Sequence, residues 1–523
     1  MLRVGTETKI RGVEQEYPVS ARGRLNPSLL ANTAIQGLKW RQIAREVAWD
    51  LCRETSQERH EARIRSSFAT NGSRIYNDMG HLEIATPAYN NPFDAVAYDK
   101  AAEIYAVLGS QEAGIILHER VVTHKNNVAN SFGGLDSGAR RGKRRPITTR
   151  TYATHGNCIT TRAACADWSR VERALIPWLV TRILFTGGGD MVSGDLFGEG
   201  GAKFVISPRA LFVTQQSSLA TTTSRGILNT RDQPHAAHHY WRLHDIHFEA
   251  LRSEYALFLR DIMQALVIRA FEQGFLTGAP ELEDPVSTFK QLARDTTSCE
   301  WRITLKSGER TDAVAVLQFY LDAVERLQDS EEHGPSRWDE IGLTCFAELL
   351  ADLEARRLEK YVDGIDWVTK LALLVNYDPR TAAEGIGICN QYALLDETSL
   401  LYLGEERGMT SNVLFNPHDS LAFAQRAVQG VDWTALPERV SYALDNAPEQ
   451  TRDYFKTAVL KRYGSQVRRA SWSTIELPEA RVLLDEPFML NAEEIGPVIA
   501  EEDADLTAIL ATAKRLYPEK VTQ

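Results

Sequence analysis

The chain has 523 residues, of which 43% are hydrophobic, 9% aromatic and 25% charged, a profile that excludes a disordered chain, a collagen-like repeat and a disulfide-framed miniprotein. Its 59 basic and 70 acidic residues leave a formal charge of −11, which argues against bulk nucleic-acid binding. At about 150 residues per domain the length suits three to four units, although one large sheet-based domain could absorb most of them.

In chain order, residues 12–20 (GVEQEYPVS) alternate as a strand does. Asn26-Pro27-Ser28 then opens a helix whose apolar positions, Leu30, Ile35, Leu38, Ile43 and Val47, recur at helical spacing. Residues 74–86 read as strand and turn, and Asn91-Pro92 starts a second helix through Ala95, Ala102 and Tyr105. Five of the six residues Arg140–Arg145 are basic, within a Gly- and Pro-flanked stretch 133–150 that reads as a loop. Strands are expected over 203–213 and 225–230, and Trp301–Leu305 before Ser307-Gly308 reads as a hairpin arm. Helices are expected over 313–327, 366–375 and 451–463, with a strand over 471–477. An acidic stretch, 493–505, precedes a terminal helix.

Six cysteines, Cys52, Cys158, Cys165, Cys299, Cys345 and Cys389, form no CxxC pair and read as reduced thiols of a cytoplasmic protein. The most apolar stretches are short and interrupted by Arg182 and Arg269, far from the roughly 18 apolar residues that a membrane span needs. No membrane association is expected.

Glu14 and Glu16 stand at i and i+2, so on a strand both carboxylates leave the same face, as a sheet-held divalent cation requires. A solvent-facing charged pair on an edge strand has the same spacing, and on the residues alone both readings stand. Tyr76, Asp78, His81 and Glu83 place a candidate base and a further metal carboxylate in one strand–turn, although a solvated hairpin has the same composition. His155 and the crowded His235, His238, His239, His244 and His247 form no HExxH. Arg209, Arg225 and Arg231 flank strand-like runs, where arginine clamps phosphate or serves structural ion pairs. Gly187–Gly189 and Gly198–Gly201 match neither a P-loop nor a GxGxxG fingerprint.

Taken in order, several segments resemble the Pup ligase and depupylase (deamidase of Pup) family, part of the carboxylate–amine ligase superfamily that contains glutamine synthetase. They are Gly12-Val13-Glu14-Gln15-Glu16-Tyr17, Asn71-Gly72-Ser73-Arg74-Ile75-Tyr76-Asn77-Asp78, Gly80-His81-Leu82-Glu83, residues 221–244 (TTTSRGILNTRDQPHAAHHYWRLH) and, near the end, 451–455 and Ala470-Ser471-Trp472. The resemblance implies an α+β fold: a large glutamine-synthetase-like domain, residues 1–435, with a curved, mostly antiparallel sheet backed by helices. A small C-terminal domain, residues 436–523, would follow. It further implies ATP and Mg2+, with Glu14, Glu16 and Glu83 as metal ligands and Asp78 as base steadied by Tyr76. Arg209 and Arg231 would hold phosphate, with His155, His244 and Trp472 as further cofactor contacts.

The implied reaction is ATP-dependent joining of the C-terminal carboxylate of a small acidic Pup-like modifier to a lysine of a target protein. Two alternatives share the fold: a depupylase or deamidase, and a small-molecule carboxylate–amine ligase. The chain departs from the family's wording at His155-Gly156-Asn157 (for H-E-N), at Gln233 and Ala237 (for D-E-P-H-A-D), at Pro208 (for S-Q-R) and at Phe248–Leu251 (for G-D-A-N). Only 54 residues separate Glu16 from Asn71, mostly taken up by the first helix, so the long extra loop of the depupylase branch is not evident, which favours the ligase. Against it, residues 225–231 (RGILNTR) and the wording of 451–464 and 470–472 resemble the depupylase branch more closely. The basic strip 140–145 suits docking of an acidic protein tail, and equally a solvated loop.

Overall fold

In the computed structural model, described over residues 3–23, 25–50, 66–132, 147–330, 334–396, 399–400, 402, 414–501 and 505–522, one sheet runs through the molecule. Thirteen strands form it among the described residues: β1 (Arg11–Tyr17), β2 (Ala44–Trp49), β3 (Ser66–Ala69), β4 (Arg74–Asp78), β5 (His81–Ala85), β6 (Thr154–Thr161), β7 (Val213–Ser218), β8 (Arg225–Asn229), β9 (Tyr240–Phe248), β10 (Arg469–Ala470), β11 (Thr474–Glu476), β12 (Arg481–Leu483) and β13 (Val521–Thr522). Their order is β7-β8-β9-β6-β1-β5-β4-β3-β2-β10-β11-β12-β13. Every neighbouring pair is antiparallel except β7–β8 and β2–β10, so the expected mostly antiparallel sheet backed by helices is present.

The backing helices start where the sequence marks them. Asn26 caps α1 (Pro27–Trp40) by accepting from the Ser28 amide, and Asn91 caps α2 (Pro92–Leu117) by accepting from the Asp94 amide; both have proline in the first turn. The helix expected to run on to Val47 ends at Trp40 instead. Gln42 takes a left-handed φ of 62°, its amide bonds back to the Lys39 carbonyl and that of Ile43 to the Leu38 carbonyl. This is a Schellman stop built on glutamine rather than glycine, so Val47 belongs to β2 and Ile43 to the turn before it.

The stretch 133–150 is only partly loop, since Ile147–Thr151 forms a strand paired with Val128–Phe132; the basic strip 140–145 lies outside the described residues. Strand 203–213 is divided into Ala202–Val205 and β7 by the turn of helix Arg209–Phe212. The hairpin at 302–312 and the helices Ala313–Asp329, Asp366–Tyr377 and Asp453–Tyr463 lie where expected. Part of the acidic stretch is helix Ala492–Ile499.

The two larger of three apolar cores among the described residues pack on this sheet. The larger packs α1, α2 and α3 (Glu254–Glu272), whose side chains are buried almost all round, as in a helix enclosed on every side. Leu436, Val440 and Ala443 of the helix that follows residue 435 also enter it. The second core gathers Phe455, Val459, Ile475 and Val482 around Val47, Trp49 and Phe68. Parallel pairing of β2 with β10, Ala48 opposite Arg469 and Trp49 opposite Ala470, joins it to the main sheet.

The larger core also encloses charge. Lys125 Nζ donates to Glu103 at 2.9 Å and to Asp99, all three buried, while Lys100 lies 3.4 Å from Glu103 and 3.3 Å from Glu254. Removing one member of such a set leaves the others charged in a dry interior. Lys125→Met is therefore expected to cost about 3–5 kcal/mol in urea-induced unfolding.

Candidate active site

The functional face is built by register across neighbouring strands. Glu14 of β1 lies opposite His155 of β6, Glu16 opposite Glu83 of β5, and Glu83 opposite Tyr76 of β4; Asn157 of β6 faces His244 of β9. Alternation along each strand then turns these side chains to one face, while Arg11 and Val13 turn to the helices. Oxygen or nitrogen atoms of Glu14, Glu83 and His155 come within 4.8 Å of one another, as do those of Glu16, Asp78 and Glu83. Four carboxylates thus converge on one spot, with Glu83 shared between both groups.

Glu14 accepts from Asn157 Nδ2 at 3.0 Å and bonds His155 Nδ1 at 3.1 Å, with Arg242 at 3.6 Å; Glu16 lies 3.2 Å from His81 Nδ1. Burial opposes the charge on Glu14, but these bonds and the fields of His244, His155 and Arg242 hold its carboxyl well below the usual carboxylate range. Glu83 is the opposite case. Burial and the negative fields of Asp78, Glu16 and Glu14 push its carboxyl well above that range, although it accepts from the Tyr76 hydroxyl. Buried acids that repel one another in this way suit a hard divalent cation, which would remove the repulsion.

Beside this cluster, and sharing Glu14 with it, is a cavity of about 100 Å³. Its lining includes Thr86, Asn157, His235 and Arg242 together with Arg452, Lys456 and Trp472. The Trp472 ring meets Trp49 edge-on at 5.6 Å and lies 5.9 Å from the His235 ring. Arg74 stacks over Trp49 and Tyr76 at 3.9 and 4.1 Å, which steadies the tyrosine. Cations, an aromatic ring and a carboxylate edge are the recognition groups of a nucleoside phosphate with its metal.

The other expected contacts are placed less directly. Arg209 is 2% exposed and donates to the Ile246 carbonyl and to Thr151 Oγ1 at 3.2 Å, leaving its Nε without a partner; burial and Arg225 lower its pKa to about 10. Arg231 is half-buried after β8, its backbone amide bonded to Asn229, and its field reaches His244. His244 Nδ1 bonds Asn157 Oδ1 at 3.0 Å, and its ring lies 4.8 Å from that of His155. Of the crowded histidines, His235 lines the cavity and His247 is tied to the Ile227 carbonyl on the opposite face. Arg242, Arg74, Arg452 and Lys456 were not singled out in the sequence. Arg242 had a usable signal, since it stands two residues before His244 on one strand and so shares its face.

The H-G-N departure has a steric reason. Gly156 faces the helices, away from the carboxylates, and a Cβ there would come within 2.7 Å of the Phe248 ring. That ring is itself stacked by Arg260 at 4.0 Å and Arg182 at 5.1 Å. A glutamate at 156 is thus incompatible with phenylalanine at 248, and its absence takes nothing from the metal-facing side.

Glu249, in the same departing segment, accepts from the backbone amides of Gly188 and Arg209 and from Ser207 Oγ at 2.7 Å, and so fixes the turn carrying Arg209. Burial pushes its carboxyl up to about 7 against those bonds. A raised carboxyl pKa contributes stability that is fully present below the ordinary value near 4.5 and is lost as pH rises through 7. Glu249→Gln is therefore expected to gain about 3 kcal/mol relative to the parent between pH 4.5 and 8, read as the difference of two denaturation series.

A family model described as Pup-ligase protein matches residues 9–476. A depupylase of Acidothermus cellulolyticus is 28% identical over 533 residues, covering 94% of this chain and 96% of its own. A Pup–protein ligase of Acidimicrobium ferrooxidans is 28% identical over 504 residues, covering 94% and 98%. The crystal structure of the prokaryotic ubiquitin-like protein Pup with its ligase PafA superposes at a TM-score of 0.70 with 21% identity, covering 98% of this chain and 93% of that one. A structure of the Pup ligase PafA in complex with ADP superposes at a TM-score of 0.63 with 22% identity, covering 87% of this chain and 90% of that one.

Proposed function

This chain belongs to the Pup-ligase family, and from that membership we propose that it is an ATP-dependent ligase joining the C-terminal carboxylate of a small acidic Pup-like modifier to a lysine of a target protein. The observation that carries the reading is the ring of Glu14, Glu16, Asp78 and Glu83 opening onto the cavity walled by Trp472, Arg242 and Arg452. The names of a relative that is a Pup–protein ligase and of a solved ligase in complex with ADP support it.

Glu14, Glu16 and Glu83 are the residues that would hold Mg2+, a hard cation matched to an all-carboxylate donor set. When bound, it neutralises charge on the phosphates and on the reacting carboxylate. The cavity residues Trp472 and Arg242, with His155 and His244 beside them, would hold the nucleotide through its base and phosphates, and Arg209 and Arg231 would add further positive charge for the phosphates. The γ-phosphoryl group passes to the modifier's carboxylate, giving an acyl phosphate and ADP. Asp78 then accepts a proton from the incoming amine, nitrogen attacks the acyl carbon, and phosphate leaves. Tyr76, locked by Glu83 and stacked on Arg74, keeps the strand carrying Asp78 in place.

No described helix is long and apolar enough to cross a membrane. The described cysteines are free thiols, which supports a place in the cytoplasm. A second reading, hydrolysis of the same isopeptide bond, is favoured by the depupylase relative, whose identity equals that of the ligase relative.

The deciding experiment follows ADP release and product mass with Mg-ATP, a lysine-bearing protein and modifiers ending in Glu or Gln. ADP formed in step with a Glu-ended conjugate is expected. Release of free modifier, or conversion of Gln to Glu without net ATP use, would overturn the ligase in favour of the amidase.

A further inference from the structure

The β4–β5 hairpin is closed by two residues, Met79 and Gly80, with φ of 46° and 98°, the pattern of a type I′ turn. Such turns favour Asn-Gly, and a methionine in the left-handed region is strained. The same side chain is 78% exposed, more than any other exposed large hydrophobic among the described residues. Met79 is thus unfavourable twice over, in backbone and in solvation, and it directly follows Asp78.

The turn around it is held firmly. Asn77 Oδ1 accepts from the Gly80 amide at 2.9 Å, and Asn77 Nδ2 donates to Asn32 Oδ1 at 3.0 Å and to the Ser28 carbonyl at 3.2 Å. Gly80 rests on Pro27 and Ser28 so closely that a Cβ would approach Pro27 Cβ to 3.1 Å. Met79 therefore stands on an anchored tip, and local strain held in place beside reacting groups points to use.

We propose that Met79 is a specificity-determining contact, an apolar rest for the aliphatic stem of the lysine whose amine reaches Asp78. The proposal rests on the ligase reading above. A lysine brings a run of methylenes ahead of its nitrogen, and these lose water wherever the amine meets a carboxylate in a half-buried strand. A flexible, polarizable thioether covers such a stem without demanding one shape, which suits an enzyme that accepts lysines on different protein surfaces.

The test compares two acceptors in the ADP-release assay with the full chain, Mg-ATP and a Glu-ended modifier: a lysine-containing peptide, and hydroxylamine, which has no stem. Met79→Asn is expected to lower the ratio of kcat/KM for peptide over hydroxylamine about tenfold, the scale on which apolar contacts discriminate substrates. Met79→Leu should retain most of the ratio. Because asparagine suits the turn, the Met79→Asn Tm should equal or exceed that of the parent. An unchanged ratio in Met79→Asn would overturn the proposal while leaving the ligase standing. Failure of the parent to release ADP with either acceptor would instead overturn the ligase reading, and this contact with it.

Discussion

Asp78→Asn is expected to lower conjugate formation by about 10²–10⁴-fold, the range over which a positioned base contributes. The amide is the same size and keeps the β4 strand and its turn, but it cannot take a proton from an ammonium group at neutral pH. Asp78 also supplies part of the negative field that raises Glu83, so the variant loses one of four mutually repelling acids and the cluster relaxes. Two stages separate on this basis. A burst of ADP from a Glu-ended modifier should persist, because transfer of the phosphoryl group does not call on Asp78. Attack by the amine should fail. Conjugate formation at the parental rate would remove Asp78 as the base.

Glu14→Gln is expected to weaken Mg-nucleotide binding about a hundredfold, equivalent to about 3 kcal/mol, the scale of a lost charge-assisted contact. Glu14 is the one carboxylate that belongs both to the acidic ring and to the cavity lining, so its charge serves two neighbours. A glutamine can still accept from Asn157 at Oε1, which protects the strand register, while Arg242, 3.6 Å away, loses the Glu14 charge. Titration calorimetry with a non-hydrolysable ATP analogue reads the effect. Repeating it in a metal chelator separates the causes: the gap between parent and variant should close if Glu14 acts through magnesium. It should persist if Glu14 acts mainly by orienting Arg242. Parental affinity in the presence of magnesium would refute the metal role.

Much of this site was visible in the sequence because strand geometry is simple. An i, i+2 carboxylate pair on a strand can only share a face, and Glu14 and Glu16 do. Tyr76, Asp78 and Glu83 are brought together by a two-residue turn, which leaves one possible register. The contributions that stayed hidden are those fixed by long-range pairing. Trp472 was expected at the site only through the family resemblance, since nothing local to it shows that β10 lies beside β2, the pairing that sets its ring against Trp49. Arg452 and Lys456 sit at the start of a helix, and their place in the cavity depends on the same docking. The false extension of α1 has a local cause: Gln42 stands where a glycine would have signalled the stop, and Ile43 and Val47 continued the apolar period by coincidence of a strand following a helix.

The wall of the cavity is assembled from segments hundreds of residues apart, and that has a consequence for synthesis. Glu14, Glu16, Asp78 and Glu83 lie within residues 14–83, whereas Arg452, Lys456 and Trp472 are added to the growing chain more than 350 residues later. A nascent chain folding from its N-terminus can gather the acidic ring long before it has anything to close the cavity beside it. The proposed nucleotide site is therefore complete only when the second core docks on Trp49 and Phe68. Translation that stops short of residue 450 would leave a chain with every acid in place and no closed chamber in which to use them.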